Sequence, residues 1–220
     1  AYNILGTELT LEKEFEEAVE LYQKALRISP GFTLAHHNLG VALIEQGRVD
    51  ESIEHYLEAV RINPEYYQAH YDLGLILERE GRTAEAIEHF QEVVRIDPRN
   101  SQAHHYLGVA LAGQGRGEEA MEHYREVVNL DPLHATAHSN LGVALVEQGW
   151  VEAAIEHFDK ARTVGEVKRT HRALAEGYNA SSRTVKKQRV ARPNVQSVIS
   201  EEQKSQSEGQ FNRMAELAGL

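Results

Sequence analysis

A Leu-Gly pair recurs at Leu5-Gly6, Leu39-Gly40, Leu73-Gly74, Leu107-Gly108 and Leu141-Gly142, always 34 residues apart. A fixed period of that size is the mark of a stacked repeat array, in which each unit is too small to bury its own apolar face. With this pair set at positions 7 and 8 of each repeat, position 20 is Ala18, Ser52, Ala86, Ala120 and Ala154, and position 24 is Tyr22, Tyr56, Phe90, Tyr124 and Phe158. Small and large residues therefore alternate at fixed places. Position 32 is Pro30, Pro64, Pro98 and Pro132, each ending a helical stretch because proline removes a donor and pushes the residue before it out of the helical region. Gly47, Gly81, Gly115 and Gly149 lie between the two helical segments of a repeat, where a left-handed cap favours a residue without Cβ.

The pattern predicts two helices per repeat and an all-α fold. Positions 8 and 20 are small so that the helices of a hairpin approach closely, and the aromatic at 24 fills the space toward the next repeat. These residues resemble the tetratricopeptide repeat family over residues 1 to 168. The resemblance implies a right-handed superhelical solenoid of helix-turn-helix repeats. Repeat boundaries are expected at 1–32 (partial), 33–66, 67–100, 101–134 and 135–168. The chain departs from the family in placing His36, His70, His104 and His138 at position 4, where a larger aromatic is common, and Ser52 at position 20. Beyond the repeats, His171, Leu174, Ala175 and Tyr178 reproduce positions 4, 7, 8 and 11 after a one-residue deletion. That spacing predicts a capping helix over 169–182, with Arg169, Arg172 and Glu176 as its polar outer face. Residues 183–220 read as a basic and then polar tail of flexible character, with a short terminal helix suggested by Phe211, Met214, Leu217 and Ala218.

Charge separates the body from the tail. Residues 1 to 168 carry 14 Lys+Arg against 29 Asp+Glu, and residues 169 to 220 carry 9 against 5. An acidic body repels phosphate backbones, so no nucleic-acid partner is expected. No apolar stretch approaches the length that spans a bilayer, so no membrane insertion is expected. With no cysteine there is no thiolate site, and the cytoplasm is the expected compartment. The chain starts part-way into a repeat, so its N-terminus is expected to be truncated.

The twelve histidines invite a metal or acid-base reading. Eight of them, at positions 4 and 23, are one structural choice copied four times, with each copy a repeat away from the next. They are read as packing or interhelical hydrogen-bonding residues. No metal, cofactor or catalytic residue is predicted, because no phosphate loop, dinucleotide fingerprint, nucleophile elbow or zinc-helix motif is present. The chain is not expected to be an enzyme.

Positions 2, 5, 9 and 12 of each first helix form one stripe beside the packing stripe of 4, 8 and 11. In the family this stripe lines the concave peptide-binding groove. The resemblance therefore assigns a groove to Asn3, Thr7, Leu34, His37, Val41, Gln68, Tyr71, Leu75, Gln102, His105, Val109, Thr136, Ser139 and Val143, with Asn38, Asp72 and Asn140 from position 6 at its edge. The surface mixes apolar, amide, hydroxyl and imidazole groups, which suits an extended peptide or an amphipathic helix. One subclass of the family captures a C-terminal carboxylate with lysine and arginine in this stripe. Here Asn3, Thr7, Asn38, Gln68 and Asp72 stand in those places, so a receptor of that kind is not expected. A fragment of the pattern persists in Asn140, Arg169 and Arg172, for which a charged cap is the simpler account.

The expected function is a protein-protein interaction scaffold or adaptor that binds a segment of a partner in the groove. Two alternatives stand beside it. The phrases AHHNLGVAL, AHHYLGVAL and AHSNLGVAL also resemble repeats that precede some glycosyltransferase domains, which would make the chain the substrate-docking part of a larger enzyme. A self-assembling scaffold is the other, since an open solenoid end can stack on another copy. Docking of the basic tail on the acidic body is a further expectation.

Overall fold

A computed structural model describes residues 1–166, and every one of its regular elements there is an α-helix: α1 (Tyr2–Leu11), α2 (Phe15–Ile28), α3 (Thr33–Glu45), α4 (Val49–Ile62), α5 (Tyr67–Arg79), α6 (Thr83–Ile96), α7 (Ser101–Gly113), α8 (Gly117–Leu130) and α9 (Ala135–Glu147), followed by α10 over residues 151–166. The capping helix and tail expected beyond them, with Arg169 and Arg172, lie outside the described residues.

Each boundary has a local cause. Before Pro30, Pro64 and Pro98 the backbone turns extended, at Ser29 (φ −136°), Asn63 (φ −132°) and Asp97 (φ −127°), as the proline ring requires. The turns inside the hairpins are left-handed caps. Gly81 has φ +74°, and the next residue, Arg82, donates its amide back to the Leu77 carbonyl at 2.8 Å, closing the helix end. The first hairpin makes the same turn with Lys13 at φ 65°. Lysine at that place hides the turn from a search for glycine.

The chain divides into two compact units, the first Ala1–Glu126 and the second beginning at Val127. In the first unit consecutive helices pack on one another from α1 to α7, and first helices of successive hairpins also meet, α1 with α3 and α5 with α7. This is the solenoid arrangement of tandem hairpins. Its core is the set of position-24 rings laid over the position-8 glycines. Phe90 is fully buried, and a Cβ on Gly74 would stand 2.7 Å from its ring, closer than any side chain tolerates. The glycine is thus what lets α5 and α6 approach. Ser52 departs from alanine without leaving a buried polar atom, because its hydroxyl donates to the Gly40 carbonyl at 2.8 Å. In the second unit α9 and α10 repeat the scheme, with Phe158 buried over Gly142.

The histidines at positions 4 and 23 form pairs across the four hairpins that follow the first. Nδ1 to Nδ1 distances are 3.1 Å for His36 and His55, 3.0 Å for His70 and His89, 3.0 Å for His104 and His123, and 2.9 Å for His138 and His157. The Nε2 of each position-4 ring also meets a proline carbonyl at 3.0 to 3.2 Å: Pro30, Pro64, Pro98 and Pro132. A carbonyl only accepts, so Nε2 carries the proton and Nδ1 of the same neutral ring is an acceptor. The position-23 partner must then donate from its own Nδ1. One fixed tautomer chain therefore ties the second helix to the first, and the first to the proline that ends the preceding helix.

Candidate functional site

The stripe read from positions 2, 5, 9 and 12 runs along α1, α3, α5 and α7 in the first unit. Helical spacing brings these positions to one side of each helix, and stacking sets one helix beside the next. Asn3 is buried, and His37, Val41, Gln68, Tyr71, Leu75 and His105 are half-buried. Thr7, Leu34, Gln102 and Val109 are exposed. On α9 of the second unit, Ser139 and Asn140 are half-buried, and Thr136 and Val143 are exposed. Except for Asn3, every described residue of the stripe presents surface.

Position 6 does more than edge the stripe. Within the first unit its side chain reaches back to the stripe of the preceding hairpin. Asn38 donates its amide to Asn3 Oδ1 and Thr7 Oγ1, both at 3.3 Å. The Asp72 carboxylate accepts from His37 Nε2 at 2.8 Å. Tyr106 packs edge-on against Tyr71, with ring centroids 5.9 Å apart. An amide, a charged and an aromatic contact thus follow one another along the array, each holding a position-5 group in place.

His37 Nδ1 lies 3.4 Å from both the Tyr66 hydroxyl and Asn38 Oδ1. The Tyr66 ring meets the imidazole edge-on at 5.2 Å. Tyr71 donates to Gln102 Oε1 at 3.2 Å, which links α5 to α7.

Two cavities open along these helices. One of about 270 Å³ is lined by His37, Tyr67, Gln68, Tyr71, Asp72, Asn100 and Gln102. The other, about 250 Å³, is lined by Val41, Ile44, Glu45, Tyr56, Asp72, Leu75, Ile76 and Arg79. Burial, and after it the charge of nearby groups including Asp72, raises the pKa of Tyr56 and Tyr66 and pushes that of Tyr71 up to about 12. These hydroxyls remain protonated donors at any ordinary pH.

Tyr66, Tyr67 and Asn100 belong to this site although the stripe reading omits them. They stand at the junction between repeats, outside the helical periodicity that located the others. The Tyr66-Tyr67 doublet, against Phe32-Thr33 and Asn100-Ser101 at the other junctions of this unit, is the signal that marks them. Among the described residues no three of His, Cys, Asp or Glu come together in the way a metal ion requires, and no helix there is long and apolar enough to cross a membrane.

Family models for tetratricopeptide repeats match residues 37–101 and, in a second model, residues 6–47 and 113–149. None of the curated proteins matches the sequence. Among solved structures, YrrB, described as a TPR protein with an unusual peptide-binding site, is 27% identical, with TM-score 0.67 over 74% of this chain and 84% of its own. A crystal structure of MamA is 23% identical, with TM-score 0.70 over 75% of this chain and 96% of its own. MamA residues 41-end from Desulfovibrio magneticus RS-1 is 23% identical, with TM-score 0.68 over 76% and 94%. At 23% identity the two MamA structures speak to the fold.

Proposed function

The chain belongs to the tetratricopeptide repeat family, and from that premise we propose that it is a non-catalytic scaffold that holds a segment of a partner protein against the stripe of α1, α3, α5 and α7. The observation that carries this reading is the cavity around Tyr71. It is lined by aromatic rings, side-chain amides and one carboxylate, groups that offer both contact area and hydrogen bonds to a peptide backbone. YrrB, described as having an unusual peptide-binding site, supports peptide binding in general. Neighbours orient these groups in advance: Gln102 holds the Tyr71 hydroxyl, and Asp72 and Tyr66 hold His37. Ordering them on binding therefore costs little side-chain entropy.

Affinity capture on the immobilised chain, with mass spectrometry of what is retained, supplies the partner. Tyr71→Ala combined with His105→Ala is expected to weaken that partner about tenfold or more, as loss of a central aromatic anchor does. Leu57→Ala serves as control. Leu57 is 45% exposed on α4, a second helix of a hairpin, so its loss leaves the groove untouched and binding unchanged. Retention of full affinity by the double variant, with helix content intact in both proteins, contradicts the groove.

A further inference from the structure

The two cavities share one lining residue, Asp72, and they differ in chemistry on either side of it. Toward Tyr71 the walls are two phenol rings, two glutamine amides, an asparagine and an imidazole. Toward α3 they include Val41, Ile44, Leu75 and Ile76, with Glu45 and Arg79 of opposite sign. Asp72 itself is 31% exposed at its side chain and accepts one hydrogen bond, from His37 Nε2. A carboxylate has further lone pairs to offer beyond that one hydrogen bond.

We infer that the two cavities form one recognition site for a partner segment in which a lysine or arginine stands beside a large apolar residue, the cation meeting Asp72 and the apolar side chain entering between α3 and α5. This rests on the groove reading above and adds to it the chemistry of the occupant. Three observations favour a cation. Asp72 is the single fixed charge of the polar cavity, and no lysine or arginine stands in the described stripe. Tyr67 and Tyr71 line the same space, and phenol faces attract ammonium and guanidinium groups. The unit that holds it is acidic, 11 Lys+Arg against 23 Asp+Glu over residues 1 to 126, which draws in a basic segment and repels an acidic one. The field of Asp72 is felt by its neighbours, since it contributes, after burial, to the raised pKa values of Tyr56, Tyr66 and Tyr71. A field that disfavours a phenolate favours a cation. The apolar cavity supplies the second half of the selection, because a side chain that fills it exchanges water for Val41, Ile44, Leu75 and Ile76.

Selection of displayed random peptides on the full chain, run in parallel on Asp72→Asn, Asp72→Lys and Tyr71→Ala at physiological salt, tests this. On the native chain, peptides with Lys or Arg next to Leu, Ile, Phe or Met are expected to dominate. A synthetic peptide from that pool is expected to bind Asp72→Asn about tenfold more weakly, less than the loss for a fully buried charge contact because Asp72 is partly exposed, and Asp72→Lys is expected to select Asp or Glu in place of the cation. Circular dichroism melts establish that each variant is folded. If enriched peptides depend on Tyr71 but carry no cation, or bind Asp72→Asn as well as the native chain, the inference fails and the groove reading stands. If no enriched peptide depends on Tyr71, both fail.

Discussion

Replacing Phe90 by alanine is expected to cost about 3–5 kcal/mol, the loss that follows truncation of a fully buried aromatic ring. The ring is 0% exposed and fills the space that Gly74 leaves open. It stacks on Tyr106 at 5.8 Å and 16° and meets Tyr71 edge-on at 6.2 Å. Three consequences follow from one substitution. A cavity opens between α5 and α6, the Tyr106 ring loses its stacking surface, and Tyr71 loses a wall that holds it in the proposed groove. In a repeat array the damage stays with the nearest neighbours, so faster amide exchange is expected on α5 and α6 and little change on α1 and α2. Urea unfolding followed by circular dichroism measures the total, and a loss below about 1 kcal/mol, the scale of a surface change, contradicts this account of the core.

Acid is expected to destabilise the fold through the histidine pairs. Burial lowers the pKa of His55, His70, His89 and His123, and that of His89 falls to about 4. Neutral pairs hold a single proton between their Nδ1 atoms, and a second proton leaves two donors face to face. The unfolded chain, with imidazoles near about 6.5, takes up protons that the folded chain refuses. This stability is complete above the unfolded value and is lost as pH falls through the folded one. Among the charged neighbours the carboxylates temper the loss without reversing it, and the arginines add to it. Glu51, Glu54 and Arg48 act on His55; Glu65, Glu92 and Arg95 act on His70; Glu85, Glu92 and Arg82 act on His89; Glu119 and Glu122 act on His123. Desolvation outranks each of these carboxylates. The melting temperature is expected to fall by about 5 °C or more between pH 7 and pH 5, and a variant with His70→Gln and His89→Gln is expected to show a shallower dependence. A melting temperature independent of pH over that range contradicts the tautomer chain.

The hairpins were legible because their causes are local and repeated. A glycine facing an aromatic ring, a proline after the second helix of the first four repeats and a small residue at position 20 each act within one 34-residue unit. The partners of the histidines were less legible. Position 4 and position 23 are 19 residues apart with a turn between them, so which ring meets which depends on the register of the hairpin, and their interhelical role was readable without the pairing. Helical spacing also located the stripe but not the reach of Asn38 and Asp72 to the preceding hairpin. That contact is set by the offset between hairpins, which no single helix encodes. Lys13 and the Tyr66-Tyr67 junction escaped for a related reason: each does its work through backbone conformation or position outside the periodic pattern.

The proposed groove is the central claim, and amide hydrogen exchange of the full chain with and without its captured partner tests it most directly. Bound partner is predicted to slow exchange on α3, α5 and α7, most strongly around Tyr71 and Asp72, and to leave the outer faces of α4 and α6 unchanged. Protection confined to α4 and α6, with exchange on α5 unaltered at saturating partner, contradicts it.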